Sequence, residues 1–136
     1  MDLREFLKSN PNQDGKTFGL FVRQRREELG KSVRGFATEL EMTAAYLSDI
    51  EKGNRHAPKN YLDKLRKALG VSEEDSILFE DMADVTRGFV CPDVNPYLGG
   101  KELARVALRK ARDLDISDET WQKIIGIMDA DESDDS

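Results

Sequence analysis

The sequence contains one cysteine and no long hydrophobic run. With Cys91 alone, an internal disulfide is excluded, and this usage suits a reducing compartment. The thiol can be an inert structural group or a reactive one in a loop. No segment approaches the ~20 consecutive apolar residues of a membrane span, and the start lacks the basic-then-apolar pattern of a signal sequence. These absences predict a soluble, cytoplasmic protein that does not contact a membrane.

Histidine is almost as scarce, which argues against catalysis. The single histidine, His56, lies in a segment rich in Lys and Arg. This leaves no His-based triad, no His pair and no metal cluster within reach of Cys91 in sequence. A glycine-rich phosphate loop is also missing. We therefore expect no enzymatic activity, no cofactor and no metal.

The net charge of −6 is unevenly distributed along the 136 residues. Residues 17–70 contain eleven basic and seven acidic side chains, a net charge of +4, whereas residues 71–136 contain seven basic and seventeen acidic ones, a net charge of −10. A locally basic segment is what phosphate contact requires, because each neutralised phosphate releases counterions. The same charge also fits an ordinary solvated surface.

Residues 32–53 have the pattern of two short helices joined by a tight turn. Ser32 and Thr43 can each cap a helix through the hydroxyl group, and Gly53 follows the second helix as a stop. Apolar residues fall on one face of each helix: Phe36, Ala37 and Leu40 on the first, Tyr46, Leu47 and Ile50 on the second. The pattern predicts a helix-turn-helix, although the spacing alone also fits an ordinary helical hairpin.

Amphipathic segments flank this motif on both sides. One ends at Gly30, and another begins after Pro58 and ends at Gly70. Their apolar positions are Phe18, Phe21, Val22 and Leu29, then Tyr61, Leu62, Leu65, Ala68 and Leu69. In this context residues 17–70 resemble the lambda-repressor-like, XRE-type family of DNA-binding domains. The residues that carry the resemblance are Phe36-Ala37, Leu47-Ser48, Ile50-Glu51-Lys52-Gly53 and Leu65, Ala68, Leu69 and Gly70.

The resemblance implies an all-α, five-helix domain whose second motif helix enters the major groove of double-stranded DNA. Its base-facing positions would be Thr43, Ala44, Ala45, Tyr46, Ser48 and Asp49. The methyl groups of Ala44 and Ala45 suit thymine, and Asp49 can accept from cytosine N4. Tyr46 fits base contact and core packing about equally. Since Arg, Lys, Asn and Gln are missing from this set, phosphate contacts and DNA shape are expected to share the recognition.

By the same resemblance, phosphate contacts flank the recognition helix. The residues expected to make them are Ser32 and Arg34 at the start of the preceding helix and Lys52, Asn54, Arg55, His56 and Lys59 after the recognition helix. Arg26 and Glu51 match a family pair that ties the first helix to the end of the recognition helix. We expect this pair to be a structural ion pair.

The chain departs from the family pattern at two positions. Val33 stands where the family often has glutamine, which puts one phosphate contact in doubt. Glu41 stands at the turn position where the family usually has glycine. If the turn keeps its usual left-handed backbone, Glu41 is strained by about 1 kcal/mol relative to glycine.

The remaining segments complete the predicted organisation. Residues 1–16 form an N-terminal helix or arm that packs on the core or docks a partner. Residues 17–87 form the DNA-binding domain, closed by a helix that starts near Ser72 and has Ile77, Leu78, Met82 and Val85 as its apolar stripe. Residues 88–100 have the glycine and proline content of a hinge, and residues 129–136 form an acidic disordered tail.

Residues 101–128 predict two C-terminal helices with apolar stripes too large for a lone helix pair to hide. The stripes are Leu103, Val106, Ala107 and Leu114, then Trp121, Ile124, Ile125 and Met128. Such a pair has no stable core of its own. The helices must pack back on the domain, pair with a second copy or hold another protein.

Two functions fit these observations. The first is a sequence-specific transcriptional repressor that binds an inverted repeat as a homodimer, with half-sites roughly 34 Å apart. The second is an antitoxin or adaptor. In that case the C-terminal helices bind a partner protein, a toxin or a protease, while the helix-turn-helix autoregulates the operon.

Overall fold

The computed structural model describes residues 2–10, 15–88 and 91–134, and over these residues the fold is all-α, as predicted. The chain divides into two compact units, Met1–Pro92 and Asp93–Ser136. Helices of the first unit are α1 (Leu3–Ser9), α2 (Thr17–Glu28), α3 (Val33–Glu39), α4 (Ala44–Glu51), α5 (Lys59–Ala68) and α6 (Ser76–Arg87), with a 3-10 turn at Glu73–Asp75. Those of the second are α7 (Asn95–Gly100), α8 (Glu102–Leu114) and α9 (Asp118–Asp134).

A cluster of phenylalanines forms the centre of the first unit. The Phe21 ring lies edge-on to Phe6, with 5.2 Å between ring centroids, and Phe18 lies against Phe79 at 5.1 Å. These are favourable aromatic geometries. The other buried apolar residues are Leu3, Val22, Phe36, Ala37, Leu40, Leu47, Ile50, Ala57, Leu62, Leu65, Leu69, Met82 and Ala83. All six helices contribute to this core, so α3 and α4 are held in place by packing against the other four.

The N-terminal helix is part of that core. Leu3 and Phe6 on α1 are buried. Arg4 Nε donates a hydrogen bond to the Asp75 carboxylate at 3.2 Å, which fastens α1 to the 3-10 turn before α6. Of the two alternatives for this segment, packing on the core is therefore the one observed. Residues 1 and 11–14 of the segment lie outside the described residues.

The predicted stripe of α6 was wrong at one position. Ile77 is exposed, whereas Phe79, which the prediction omitted, is fully buried. Residues three and four apart share a helix face, so the inward face through Met82 and Ala83 continues to Phe79 and not to Ile77. Leu29 also differs from the prediction, because it is the C-cap residue of α2 and is exposed.

Two segments predicted as irregular are helical. Residues 95–100, within the predicted hinge 88–100, form α7, because Pro96 stands in the first turn, where a helix does not need its missing N–H. Residues 129–134, within the predicted disordered tail 129–136, continue α9. Extending a formed helix by one residue is far easier than starting one. Residues 89–90 and 135–136 lie outside the described residues.

The second unit contains the two C-terminal helices where the sequence predicted them. α8 starts just after α7, and Arg105 on α8 donates hydrogen bonds to the carbonyl oxygens of Leu98 and Gly99 at 2.6 and 2.8 Å. Ser117 caps α9 by accepting a hydrogen bond from the Thr120 N–H at 3.2 Å. In the part of the chain that the structure describes, no helix is long and apolar enough to cross a membrane.

Candidate nucleic-acid interface

Two capped helices and a tight turn form the helix-turn-helix. Ser32 Oγ accepts a hydrogen bond from the Gly35 N–H at 3.0 Å, and Thr43 Oγ1 accepts one from the Tyr46 N–H at 3.1 Å. Both predicted caps are thereby confirmed. Each hydroxyl satisfies an N–H group that has no partner inside its helix, which fixes where α3 and α4 begin.

Glu41 is the left-handed residue of the turn, as predicted, with φ of 60°. Its N–H donates to the Thr38 carbonyl at 3.1 Å, and the next N–H, of Met42, donates to the Ala37 carbonyl at 3.0 Å. This hydrogen-bond pair ends α3 in a Schellman motif, which requires the left-handed residue at this position. A side chain here strains the backbone, so Glu41 supports the turn geometry at some expense of stability.

The predicted ion pair between Arg26 and Glu51 is present and buried. Arg26 Nε and a terminal nitrogen donate to the two Glu51 carboxylate oxygens at 2.8 and 3.1 Å, and the other terminal nitrogen donates to the Lys31 carbonyl at 2.7 Å. The hydrogen bond with Glu51 raises the pKa of Arg26, against the effect of burial, so the guanidinium stays charged. One side chain thereby joins α2, the end of α4 and the loop that leads into α3.

α2 and α4 also contact each other at Gly19, a residue that the sequence analysis did not identify. A Cβ atom at this position would lie within 2.6 Å of the Glu51 carbonyl oxygen and closer still to that of Ile50. The backbone at the end of α4 therefore lies directly against α2. A glycine inside an otherwise helical segment was the available signal, because it indicates a close approach.

The six residues predicted to face bases do not occupy equivalent positions. Thr43 and Ala45 are exposed, and Ser48 and Asp49 are half-buried. Ala44 is half-buried and packs partly against the core, and its contact with bases stays a prediction. Its distance of three residues from the fully buried Leu47 places it on the inward side of α4.

Tyr46 packs against the core, which is one of the two alternatives that the sequence left open, and its contact with bases stays a prediction. The ring is half-buried and packs against the core, as a structural residue would. The Arg55 guanidinium lies over the same ring, 4.6 Å from its centroid, which is a cation–π contact. Tyr46 therefore fixes the position of an exposed cation just beyond the end of α4.

Every residue predicted to contact phosphate is exposed. These residues are Ser32, Arg34, Lys52, Asn54, Arg55, His56 and Lys59. Along the chain they lie at the start of α3, which precedes α4, and from the end of α4 to the first residue of α5. Val33, by contrast, is half-buried and packs against the core.

Ion pairing separates the basic side chains of residues 17–70, all of which the structure describes, into two groups. Seven lie within 4.0 Å of a carboxylate: Arg23, Arg25, Arg26, Lys31, Lys64, Arg66 and Lys67. The four that form no ion pair within this segment are Arg34, Lys52, Arg55 and Lys59. These four are the cations that flank α4. The surface around α4 therefore keeps positive charge that the rest of the segment neutralises.

Among residues 2–10, 15–88 and 91–134, no group of three or more His, Cys, Asp or Glu side chains is placed to hold a metal ion.

Comparisons with known proteins cover this same region. Residues 17–76 match a family model described as "Helix-turn-helix domain". Over 63 residues the chain is 38% identical to the control protein C.BamHI of Bacillus amyloliquefaciens, a match that covers 46% of this chain and 78% of that protein. A chain of the SinR protein/SinI protein complex is similar over 85% of this chain and 98% of its own length, with a TM-score of 0.38 and 20% identity.

Proposed function

Because the chain belongs to the XRE-type family of helix-turn-helix DNA-binding transcriptional regulators, we propose that it is a repressor that binds an inverted repeat as a homodimer. In this proposal α4 of each copy lies in the major groove of one half-site, and the half-sites are about 34 Å apart. The protein would act in the cytoplasm. The exposed cap residue Thr43 and the exposed Ala45 of α4 would contact base edges, with Ser48 and Asp49 beside them.

One observation supports this proposal above the others: among the basic side chains of residues 17–70, the four without an ion pair are those that precede and follow α4 along the chain. Arg34, Lys52, Arg55 and Lys59 can bind phosphate without first breaking a contact with a carboxylate. Ser32, Asn54 and His56, exposed beside them, can add hydrogen bonds. Phosphate contacts of this kind supply most of the affinity, and base contacts supply the sequence preference.

Titration of the purified chain against DNA from its own upstream region tests the proposal. We expect a dissociation constant in the nanomolar range that weakens steeply with salt. Lys52→Ala should weaken binding to all sequences alike and lower the salt slope by about 1, whereas Asp49→Gln should change base preference. Lys67→Ala is the matched control, because this exposed lysine pairs with Asp63 at 3.1 Å on α5. Failure to bind any genomic fragment at low salt would exclude the proposed function.

The exposed apolar side chains of α8 and α9 favour a second candidate, an antitoxin or adaptor that binds a toxin or a protease through these helices. This function predicts a stoichiometric complex between the full chain and a second protein encoded beside it. Leu103→Asp should disrupt that complex and leave DNA binding unchanged, because Leu103 is exposed on α8. A complex that survives this substitution would exclude α8 as the site of contact.

A further inference from the structure

The second unit exposes a set of large apolar side chains on both of its longer helices. On α8 these are Leu103, Val106, Leu108 and Leu114, and on α9 they are Ile125, Ile127 and Met128, with exposed fractions between 43% and 82%. Single apolar residues are normal on a protein surface, but several large ones exposed on the same two helices are typical of an interaction site.

The spacing of the apolar residues on each helix indicates the kind of surface that can pack against them. On α8, the exposed residues Leu103, Val106 and Ala107 follow the i, i+3, i+4 pattern. On α9, exposed Ile125 and Met128 complete an i, i+3, i+4, i+7 pattern with Trp121 and Ile124, which are half-buried. Both patterns form a stripe along the length of a helix. Such a stripe packs best against the matching stripe of another helix.

Charge identifies the partner helix. α8 contains four basic residues and two acidic ones, a net charge of +2, whereas α9 contains one lysine and six acidic residues, a net charge of −5. Two copies of α8 would repel one another, and two copies of α9 would do so more strongly. An α8 helix set against an α9 helix brings opposite charges together beside the apolar contact.

We propose that two copies of the chain associate through these helices, with α8 of each copy packed against α9 of the other. The arrangement is twofold symmetric, so the same complementary contact forms twice. It covers both apolar stripes and satisfies the opposite charges of both helices. This inference rests on the proposed function, because binding to an inverted repeat requires a dimer. It assigns the contact between the two copies to residues 102–134.

Charge reversal in the full chain, without DNA, tests the pairing. One variant carries Arg109→Glu and Lys110→Glu on α8, another carries Asp131→Lys and Glu132→Lys on α9, and a third carries all four changes. All four side chains are exposed. Analytical ultracentrifugation should show a wild-type dimer whose dissociation constant rises about a hundredfold in either double variant, because like charges then face each other. The fourfold variant, and an equimolar mixture of the two double variants, should return to within about tenfold of wild type.

Several results would overturn this inference. They are a wild-type chain that stays monomeric, double variants that dimerise as well as wild type, and a fourfold variant that does not regain association. A monomeric chain that binds a different protein in equal stoichiometry would support the adaptor function instead. Circular dichroism of each variant checks that the helices remain formed.

DNA titration of the same samples separates this inference from the proposed function. A charge-insensitive dimer that binds DNA contradicts only the α8–α9 pairing, whereas a dimer with the expected charge dependence that binds no DNA contradicts only the proposed function.

Discussion

The two units differ in how far their large apolar side chains are buried. In the first unit Phe21 is fully buried at the centre of an aromatic cluster, whereas in the second unit Leu103 is 82% exposed. A domain that buries its large apolar residues closes on its own core, and helices that leave theirs in water gain little stability from packing. The stability of the first unit therefore lies in the chain itself. We expect that of the second to rise when another protein surface covers α8 and α9.

Truncation of one large side chain in each unit tests this contrast most strongly. Phe21→Ala should lower the free energy of unfolding of the first unit by about 3–5 kcal/mol, because it removes buried contacts and leaves a cavity. At a concentration where the chain is monomeric, Leu103→Ala should change the free energy of unfolding of the second unit by no more than about 0.5 kcal/mol, because the side chain is 82% exposed. Urea unfolding followed by circular dichroism measures both variants.

A second probe assigns each unfolding transition to its unit. Trp121, the one tryptophan of the sequence, lies on α9, so tryptophan fluorescence follows the second unit alone. Phe21→Ala should move the circular dichroism transition and leave the fluorescence transition in place. If both probes shift together, the units unfold as one and the contrast between them is wrong.

Burial should also decide what an ion pair contributes. Arg26 and Glu51 are 8% and 5% exposed in their side chains, whereas the Arg23 and Glu27 side chains, paired at 3.1 Å on α2, are 60% and 54% exposed. Glu51→Gln leaves a buried guanidinium without its charged partner, and we expect a loss of about 3–5 kcal/mol. Arg23→Gln should cost at most about 0.5 kcal/mol. Equal losses in thermal or urea unfolding would show that the buried pair is no more than a surface contact.

Glycine-to-alanine substitution compares a tight contact in the first unit with an open position in the second. At Gly19 the new methyl group meets the backbone of Ile50 and Glu51, so we expect a loss of about 1–3 kcal/mol and weaker DNA binding as α4 shifts. At Gly126 on α9 no atom lies within 4 Å of the added Cβ. Alanine there should stabilise the helix by up to about 1 kcal/mol. Urea unfolding followed by circular dichroism for Gly19→Ala and by tryptophan fluorescence for Gly126→Ala measures the two effects, and a gain at Gly19 would contradict the close approach.

Most of the motif could be predicted from local patterns in the sequence. The hydroxyl groups of Ser32 and Thr43 and the turn at Glu41 act within a few residues, so their positions along the chain are enough to place α3 and α4. The match between Arg26 and Glu51 came from a family resemblance, and the structure confirms the contact.

The rest depends on residues distant in sequence that meet only in the fold. Gly19 is informative only when the end of α4 is known to cross it. Likewise, Lys52 and Lys59 form no ion pair because no acidic side chain of the segment lies near enough in the fold. The composition of the sequence does not reveal these positions. The helix α7 differs from the prediction because the prolines and glycines of residues 88–100 indicate a hinge. A proline such as Pro96, however, also fits the first turn of a helix.

Two left-handed residues allow a smaller comparison between the units. Glu41 in the turn and Asp115 after α8 have φ of 60° and 48°. Glycine adopts this backbone without strain but is freer in the unfolded chain, so Glu41→Gly and Asp115→Gly should each stabilise their unit by about 0.5–1 kcal/mol. Circular dichroism follows the first variant and tryptophan fluorescence the second. A loss of stability in Glu41→Gly would show that its contact with Lys64 at 3.5 Å outweighs the strain.

The smallest effect expected is a pH dependence at the surface of the first unit. Hydrogen bonds from Lys67 and then Arg66 lower the pKa of Asp63 from its ordinary value of 3.8. A carboxyl group whose pKa is lower in the folded state stabilises the fold above its unfolded pKa and loses that contribution as the pH falls through the folded pKa. Asp63→Asn should therefore unfold at a slightly lower urea concentration than wild type near neutral pH, and the difference should shrink below the ordinary aspartate value and vanish once the pH lies below the lowered pKa of the folded state. A difference that persists there would mean that Asp63 acts through something other than its charge.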